Sequence, residues 1–166
     1  MSLSSTVQYY LEQGIDPSKT ILALPYYGST WKGKLKQSGN TVINTSTYEK
    51  PLTYSEIRKK YIDNDKLKIA PFRDEKSMTN YYSLNFEDNT TQEVWFDDDY
   101  TLRKKYDFAL SNELKGIGVW ALGYDNGYDD LWNVIEDKFA TDKKLIVNPI
   151  AESEGYPIRF SKYLLN

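Results

Sequence analysis

Two short apolar runs, LALPYYG at residues 22–28 and VWALGYD at residues 119–125, constrain the fold of this chain more than any other feature. A strand with one face in water alternates apolar and polar residues, and neither run does so. A continuous apolar run is typical of a parallel strand that is buried on both faces. Because both runs end in aromatic and glycine residues, we expect aromatic side chains where the two strands end.

Predicted helices flank both runs. Residues 4–15 combine capping serines and a threonine with Gly14 as a stop signal. Residues 97–116 begin with three aspartates, which favour a helix N-terminus, and end at Gly116. Residues 128–140 place apolar side chains on one helix face. This order predicts the α/β class. Since two parallel strands do not form a stable sheet alone, we expect the last quarter of a larger barrel.

Residues 33–95 interrupt this order and predict a small α+β insertion. TYSEIRKKYI is a capped amphipathic helix, and NYYSLNFEDNTTQEVWF alternates like a hairpin with Asp88 and Asn89 in its turn. The predicted domain organisation is a barrel segment at 1–32, the insertion domain at 33–95, a second barrel segment at 96–140, and an extension or linker at 141–166.

Composition excludes several chemistries. The chain has no cysteine and no histidine, which rules out thiol nucleophiles, Ser-His-Asp triads and the common zinc sites. A net charge of −3 without a basic cluster argues against a nucleic-acid surface. No apolar run is long enough to cross a membrane. The start, MSLSSTVQYY, is not a signal peptide, so we expect a piece of a longer protein.

Aromatic residues are the unusual part of the composition. The 15 tyrosines, 4 tryptophans and 6 phenylalanines are compatible with an aromatic core and also with a surface for sugar rings or protein partners. Two acidic runs suggest metal sites but fit them poorly. FDDDY is interpreted as a helix start, because its consecutive carboxylates point in different directions, and DNGYDD lacks the spacing of a calcium loop. We expect no metal and no cofactor.

Taken in order, these segments resemble the C-terminal part of glycoside hydrolase family 18, which contains chitinases, related N-acetylglucosaminidases and chitinase-like lectins. The resemblance rests on LALPYYGSTW, TYSEI and EVWFDDDYTLRKKYDFALSNELKGIGVWALGYDNG, and covers roughly residues 7–138. It implies a C-terminal fragment of a (β/α)8 TIM barrel that carries the α+β chitinase insertion domain. The missing N-terminal barrel portion of the parent protein is then an expected partner.

In such barrels, function lies at the carboxyl ends of the strands. From position alone, Trp120 and Tyr27 fit either the core or contact with a substrate. By resemblance, Trp120 matches a tryptophan under the sugar at the scissile bond, and Tyr27 matches the tyrosine of a Tyr-Gly-Arg motif. Ser29 stands where that motif has arginine, so a charged hydrogen bond to the sugar is expected to be missing or supplied elsewhere. The predicted substrate-binding residues are Tyr26, Tyr27, Trp31, Arg73, Asp74, Trp120, Tyr124 and Asp125.

No catalytic residue is expected in this chain. The family's motif, Asp-x-x-Asp-x-Asp-x-Glu, ends in the acid that protonates the leaving oxygen, and no aspartate here begins that pattern. The resemblance implies a retaining, substrate-assisted glycosidase for β-1,4-linked N-acetylglucosamine glycans, chitin-like or peptidoglycan. This chain would supply cleft residues and be inactive alone. The parent is expected to be secreted, periplasmic or on the cell surface.

Two other hypotheses stay open. The first is a non-catalytic, chitinase-like glycan-binding protein, for which Ser29 in place of arginine gives mild support. The second is a self-sufficient α+β interaction module with a mainly aromatic core. Strand edges left unpaired by an incomplete barrel also predict a homodimer or exchange of elements between copies.

Overall fold

The computed structural model describes residues 2–38 and 41–140, so the predicted extension at 141–166 lies outside the described residues. The described chain forms two sheets with helices against them. In chain order the elements are α1 (Leu3–Glu12), a 3-10 turn (Pro17–Lys19), β1 (Ile21–Pro25), β2 (Tyr27–Ser38), β3 (Thr41–Thr53), α2 (Tyr54–Ile57) continued by a π-helical turn (Arg58–Ile62), β4 (Phe72–Asp74), β5 (Thr79–Asn85), β6 (Thr90–Phe96), α3 (Asp99–Ser111), β7 (Gly116–Trp120) and α4 (Asp130–Phe139).

The two apolar runs pair as predicted. β1 and β7 are parallel, with Ile21 opposite Gly116 and Pro25 opposite Trp120. Leu22 and Leu24 are buried in a core that includes side chains of α1, α3 and α4. The α/β class is therefore confirmed.

Burial on both faces of these strands, which the continuous runs predicted, is not found in the described chain. Ile21 is 58% exposed, and Ala23 on the same face of β1 is also exposed. The reason is that the helices pack against the side of β1 that carries Leu22 and Leu24. The other side of this short sheet is open.

The second sheet is antiparallel and has the strand order β3-β2-β6-β5-β4. Its inner face has a separate core, in which α2 and its π-helical turn pack against the strands. This core contains Leu52, Ile57, Tyr61, Tyr82, Val94 and Phe96. The predicted helix begins with a capping box, because Thr53 and Glu56 exchange side-chain and backbone hydrogen bonds.

The antiparallel sheet begins at Tyr27, before the predicted start of the insertion at residue 33. Only Tyr26 separates β1 from β2, so the chain passes directly from one sheet to the other. Gly28 permits close packing of β2 against β6 and α2, because a Cβ atom there would lie 2.4 Å from the Trp95 carbonyl oxygen and 2.7 Å from the Ile57 Cδ1 atom. A side chain at residue 28 would push β2 away from β6 and α2.

The predictions from local sequence signals, for a turn, a helix start and a helix end, had different outcomes. The turn between β5 and β6 lies at the predicted place, where Asn89 has a φ of 61° and the Thr90 amide donates to Asp88 at 2.9 Å. Asp98 caps α3, as the acidic run suggested. The expected helix end at Gly116 is wrong: α3 ends at Ser111 and Gly116 begins β7. Among the helices that the structure describes, none is both long and apolar enough to cross a bilayer.

Candidate functional site

The carboxyl ends of β1 and β7 meet the first turn of α2. The Tyr26 amide donates to the Trp120 carbonyl at 2.8 Å, and the Tyr54 amide donates to the Tyr26 carbonyl at 2.9 Å. The Ser55 amide donates to the Tyr124 carbonyl at 2.9 Å. Backbone groups that would otherwise be unpaired at three element ends are thus satisfied by one another. These hydrogen bonds fix the positions of the side chains that follow the two strands.

Trp120 projects from this junction. Its side chain is 67% exposed, and Leu122, two residues further on, is 70% exposed. A large aromatic side chain with most of its surface in water contributes little to the core of the described residues. A flat apolar ring at the end of a parallel strand can accept the apolar face of a ligand.

Tyr27 and Tyr124 follow the same two strand ends, Tyr27 two residues after β1 and Tyr124 four residues after Trp120. Their ring centroids are 6.4 Å apart with planes at 79°, an edge-to-face contact. Both side chains are half-buried, so each has a packed part and an accessible part. Trp120, Tyr27 and Tyr124 together are called the Trp120 site below.

Tyr26, the neighbouring predicted residue, does not belong to this site. Its side chain is 1% exposed, and its hydroxyl donates to the Leu131 carbonyl at 3.3 Å and lies 3.4 Å from the Tyr106 hydroxyl. Burial raises the pKa of Tyr26 above its ordinary value. The prediction of substrate contact is wrong for Tyr26, because successive side chains of an extended chain point in opposite directions and Tyr27 takes the open side.

Asp125 is placed at the edge of the site in a supporting position. It is 7% exposed, and its Oδ2 atom accepts a hydrogen bond from the Trp132 indole nitrogen at 2.9 Å. Trp132 also packs edge-to-face against Tyr26, with centroids 5.8 Å apart. Asp125 therefore joins the loop after β7 to α4.

Arg73 and Asp74 are engaged elsewhere. The Arg73 guanidinium lies 3.9 Å from the centre of the Tyr100 ring, and its Nε donates to Asn80 at 3.2 Å. Asp74 accepts from the Ser77 hydroxyl at 2.6 Å, and this hydrogen bond lowers the pKa of Asp74. One residue thus packs beside α3 and the other closes a turn, and neither contacts the Trp120 site in the described chain.

Trp31 lies further along β2, on the outer face of the antiparallel sheet. It shares that face with Tyr27 and Ser29, because alternate residues of a strand point the same way. Its ring meets that of Tyr48 edge-to-face at 5.5 Å. Trp31, Ser29, Ser46, Glu93 and Trp95 line a shallow depression on this face.

Sequence reasoning missed three aromatic residues of this outer face. Phe72, Tyr81 and Trp95 stack across three strands, with centroid distances of 5.5 Å and 4.4 Å. The alternation in NYYS and EVWF could have indicated which side chains share a face. The stack itself depends on the pairing register, which that alternation does not define.

A charged cluster also escaped sequence reasoning, and it joins the two halves of the structure. Arg58 donates from Nη1 to Asp130 at 2.7 Å and binds Asp63 through Nε and Nη2. The Tyr54 hydroxyl donates to the same Asp130 carboxylate, and the guanidinium lies 4.6 Å from the centre of the Tyr128 ring. These five residues are called the Arg58 cluster, which ties α2 to the start of α4.

The protonation states of the Arg58 cluster suit its contacts at neutral pH. Hydrogen bonds from Arg58 lower the pKa of Asp63, and burial raises the pKa of Tyr54 above its ordinary value. Both effects keep the carboxylate charged and the phenol neutral at pH 7. Within residues 2–38 and 41–140, no group of three or more acidic side chains could hold a metal ion.

Comparison with known proteins shows which family and which relatives this chain is similar to. The sequence profile of the glycosyl hydrolases family 18 matches residues 1–125. Probable chitinase 2 of Drosophila melanogaster is 28% identical over 95% of this chain and 34% of its own length.

Solved structures that are similar to this chain include a cortex-lytic enzyme and a chitinase. The spore cortex-lytic enzyme SleL of Bacillus megaterium QM B1551 has 27% identity and a TM-score of 0.58, covering 80% of this chain and 28% of SleL. The family 18 chitinase of Cycas revoluta in complex with (GlcNAc)3 has 21% identity and a TM-score of 0.61, covering 81% of this chain and 37% of that chain. This chain thus spans about a third of the length of these relatives.

Proposed function

The chain belongs to glycosyl hydrolase family 18, and we propose that it is the C-terminal section of a glycosidase that acts on β-1,4-linked N-acetylglucosamine glycans. In this proposal β1 and β7 are neighbouring strands of a (β/α)8 barrel, and the antiparallel sheet is the chitinase insertion domain. The open face of β1, with Ile21 exposed, supports a barrel interior that other strands would complete.

The single observation that carries the proposal is the exposed Trp120 at the carboxyl end of a parallel strand. Its indole offers a flat apolar surface for the C–H face of a pyranose ring, and the half-buried Tyr27 and Tyr124 add phenol hydroxyls beside it. A sugar ring needs both kinds of contact. The names of the relatives, which include a chitinase with bound (GlcNAc)3 and a cortex-lytic enzyme, support N-acetylglucosamine glycans as the ligand class.

This chain would supply binding rather than the acid. A retaining, substrate-assisted mechanism uses the 2-acetamido oxygen of the substrate as nucleophile and needs a carboxylic acid to protonate the leaving oxygen. The sequence lacks the family's acid motif, so that acid would come from the missing barrel portion. Trp120 would hold the sugar in place while the acid, supplied from outside the chain, protonates the leaving oxygen. A secreted, periplasmic or cell-surface location follows from the substrates.

A non-catalytic glycan-binding protein is the second candidate. Ser29, where the family motif has arginine, faces the outer side of β2 and contributes no charge there. A site that only binds does not need the contacts that stabilise a transition state.

One experiment separates these functions. The 166-residue chain and the full-length protein that carries it are each incubated with chitin oligomers and with peptidoglycan glycan strands, and reducing ends are measured. We expect hydrolysis by the full-length protein and none by the chain. Binding without cleavage by the full-length protein would establish the second candidate. If the full-length protein neither binds nor cleaves either glycan, both candidate functions are overturned.

A further inference from the structure

We propose that Arg58 is a positioning residue for the Trp120 site. By binding Asp130, it holds the loop between β7 and α4, residues 121–129, against α2, and so keeps Tyr124 in place for a sugar. The inference rests on the proposed function, because the ligand is the same N-acetylglucosamine glycan. It assigns part of the affinity of the Trp120 site to a charged pair that lies outside that site.

The loop at residues 121–129 is built from tight turns. The amides of Tyr124, Asn126 and Tyr128 each donate to the carbonyl three residues earlier, at 3.1–3.2 Å. Leu122, in the first of these turns, is 70% exposed. Such turns fix only neighbouring residues relative to one another, so the position of the loop as a whole depends on its contacts with other elements.

α2 and its π-helical turn contact this loop and the start of α4 at three points. The Ser55 amide donates to the Tyr124 carbonyl at 2.9 Å. The Arg58 guanidinium lies 4.6 Å from the centre of the Tyr128 ring and donates to Asp130 at 2.7 Å. The first contact holds the backbone of Tyr124, and the other two hold the end of the loop. Tyr124 is therefore attached to α2 directly and through the start of α4.

The guanidinium of Arg58 is also fixed to its own element. Its Nε and Nη2 atoms donate to Asp63 at 3.1 Å and 2.9 Å, which leaves Nη1 for Asp130. Because the group is planar, the bonds to Asp63 set the direction in which Nη1 points. Lysine at residue 58 would keep the positive charge but would not provide this rigid fork.

Asp130 has few hydrogen-bond donors. Its Oδ2 atom accepts from Arg58 and from the Tyr54 hydroxyl, whereas its Oδ1 atom is buried and has no hydrogen-bond partner among the described residues. Loss of Arg58 would leave the carboxylate with the Tyr54 hydroxyl alone. Because a charge that is taken out of water with too few partners is costly, we expect the start of α4 to shift toward water and the loop to move with it.

This attachment protects the edge-to-face contact between Tyr124 and Tyr27. The two rings follow different strands, and their centroids lie 6.4 Å apart. A side chain that is held before the ligand arrives loses less conformational freedom on binding. Movement of the loop would separate Tyr124 from Tyr27 and weaken glycan binding, although every residue of the Trp120 site would still be present.

The first test is isothermal titration of the 166-residue chain with N-acetylglucosamine trimer. We expect Arg58→Ala and Asp130→Asn each to raise the Kd about three- to tenfold, the effect of one side chain that is no longer ordered before binding. In a Tyr124→Ala background, Arg58→Ala should change the Kd by less than about twofold, because the ring through which it acts is gone. The matched control, Arg103→Ala, breaks an arginine–aspartate pair of 2.8 Å that also holds α4, through Asp137, and should leave the Kd unchanged.

Hydrogen exchange provides a second readout that needs no ligand. The Ser55 amide reports on its bond to the Tyr124 carbonyl, and we expect Arg58→Ala to speed its exchange on the order of tenfold. Amides of β5 and β6 should keep their exchange rates, which separates a local release of the loop from a general loss of stability. Arg58→Lys should show both effects in weaker form, and it replaces Arg58→Ala if that variant does not fold.

The outcomes distinguish this inference from the proposed function. An unchanged Kd in Arg58→Ala, or equal weakening with and without Tyr124, overturns the positioning role and leaves the proposed function in place. An unchanged exchange rate of the Ser55 amide in Arg58→Ala also overturns the positioning role. If the unmodified chain does not bind the trimer, the proposed role of the Trp120 site is overturned, and the exchange rates decide whether Arg58 holds the loop.

Discussion

The antiparallel sheet and the parallel pair bury their strands in different ways. The antiparallel sheet has a complete inner core, with Ile57 and Val94 at 0% exposure and Phe96 at 2%. The parallel pair has an equally tight helix side, where Leu102 and Leu131 are at 0%, but its other side is open. The first region closes its core within the described chain, whereas the second closes one face only.

This difference shows that the parallel pair is the region that needs further contacts. Two parallel strands with one bare face and two free edges fall short of what a stable sheet requires. The Arg58 cluster and the backbone hydrogen bonds after β1 and β7 attach this open unit to the closed one. The Trp120 site lies at that attachment, on the open side of the molecule.

The largest expected effect is loss of the closed core. Ile57→Ala removes a fully buried side chain between α2 and the antiparallel strands, and we expect the free energy of unfolding to fall by about 2–5 kcal/mol. Hydrogen exchange should then show faster opening of β5 and β6 than of β1 and β7. The matched control, Ile69→Ala, alters a 44% exposed side chain and should change little. Equal acceleration in both sheets would show that they unfold as one unit.

The second largest effect on stability is expected where the Arg58 cluster attaches the parallel pair to the antiparallel sheet. Arg58→Ala leaves Asp130 without its cation, and we expect a loss of about 1.5–3 kcal/mol, the range for hydrogen bonds to charged groups. The change should separate the melting transitions of the two sheets in calorimetry. Lys60→Ala is the control, because the Lys60–Glu56 pair is exposed and spans 3.8 Å, so it should cost under about 0.5 kcal/mol. A single sharp transition in Arg58→Ala would contradict the attachment role.

The same comparison shows what the sequence could and could not predict. The continuous runs predicted parallel pairing, and Asp88-Asn89 predicted the hairpin turn, because both signals are local. Arg58 and Asp130 are 72 residues apart in sequence, so nothing local indicated their contact.

Only part of the candidate site could be predicted from the sequence. Local signals do not define which way a side chain points or which residues of neighbouring strands pair. A tyrosine pair at the end of a strand must point one side chain inward and one outward, but composition does not decide which is which. The structure buries Tyr26 and leaves Tyr27 half-buried. The Phe72–Tyr81–Trp95 stack requires the register of three strands, which sequence alternation leaves undefined.

A smaller effect is expected on self-association. Ile21 and Leu122 are 58% and 70% exposed on the open unit, and free strand edges favour pairing between copies. We expect light scattering to detect dimers or larger species of the chain, and Ile21→Lys with Leu122→Lys to reduce them. Surface changes of this kind usually alter stability by under about 0.5 kcal/mol. A monomeric chain at all concentrations would contradict this expectation.

The smallest effect is a pH dependence. Arg58 holds the pKa of Asp63 below its ordinary value, so the folded state binds the proton less readily than the unfolded state. The stabilisation is fully present above the ordinary aspartate pKa of about 3.9 and is lost as pH falls through the lower, folded-state value. Urea midpoints measured across this acid range should therefore fall less steeply in Asp63→Asn than in the unmodified chain. Parallel slopes would argue against the pair.

The most direct measurement of the central claim uses the 4 tryptophans of the chain as internal reporters. Their indole N–H signals are followed by nuclear magnetic resonance while N-acetylglucosamine trimer is added to the labelled chain. The account predicts a large, saturable shift of the Trp120 signal and almost none for Trp132, whose half-buried ring packs against the core and whose N–H donates to Asp125. A stationary Trp120 signal, or one that moves no more than that of Trp132, would contradict a glycan site at the end of β7.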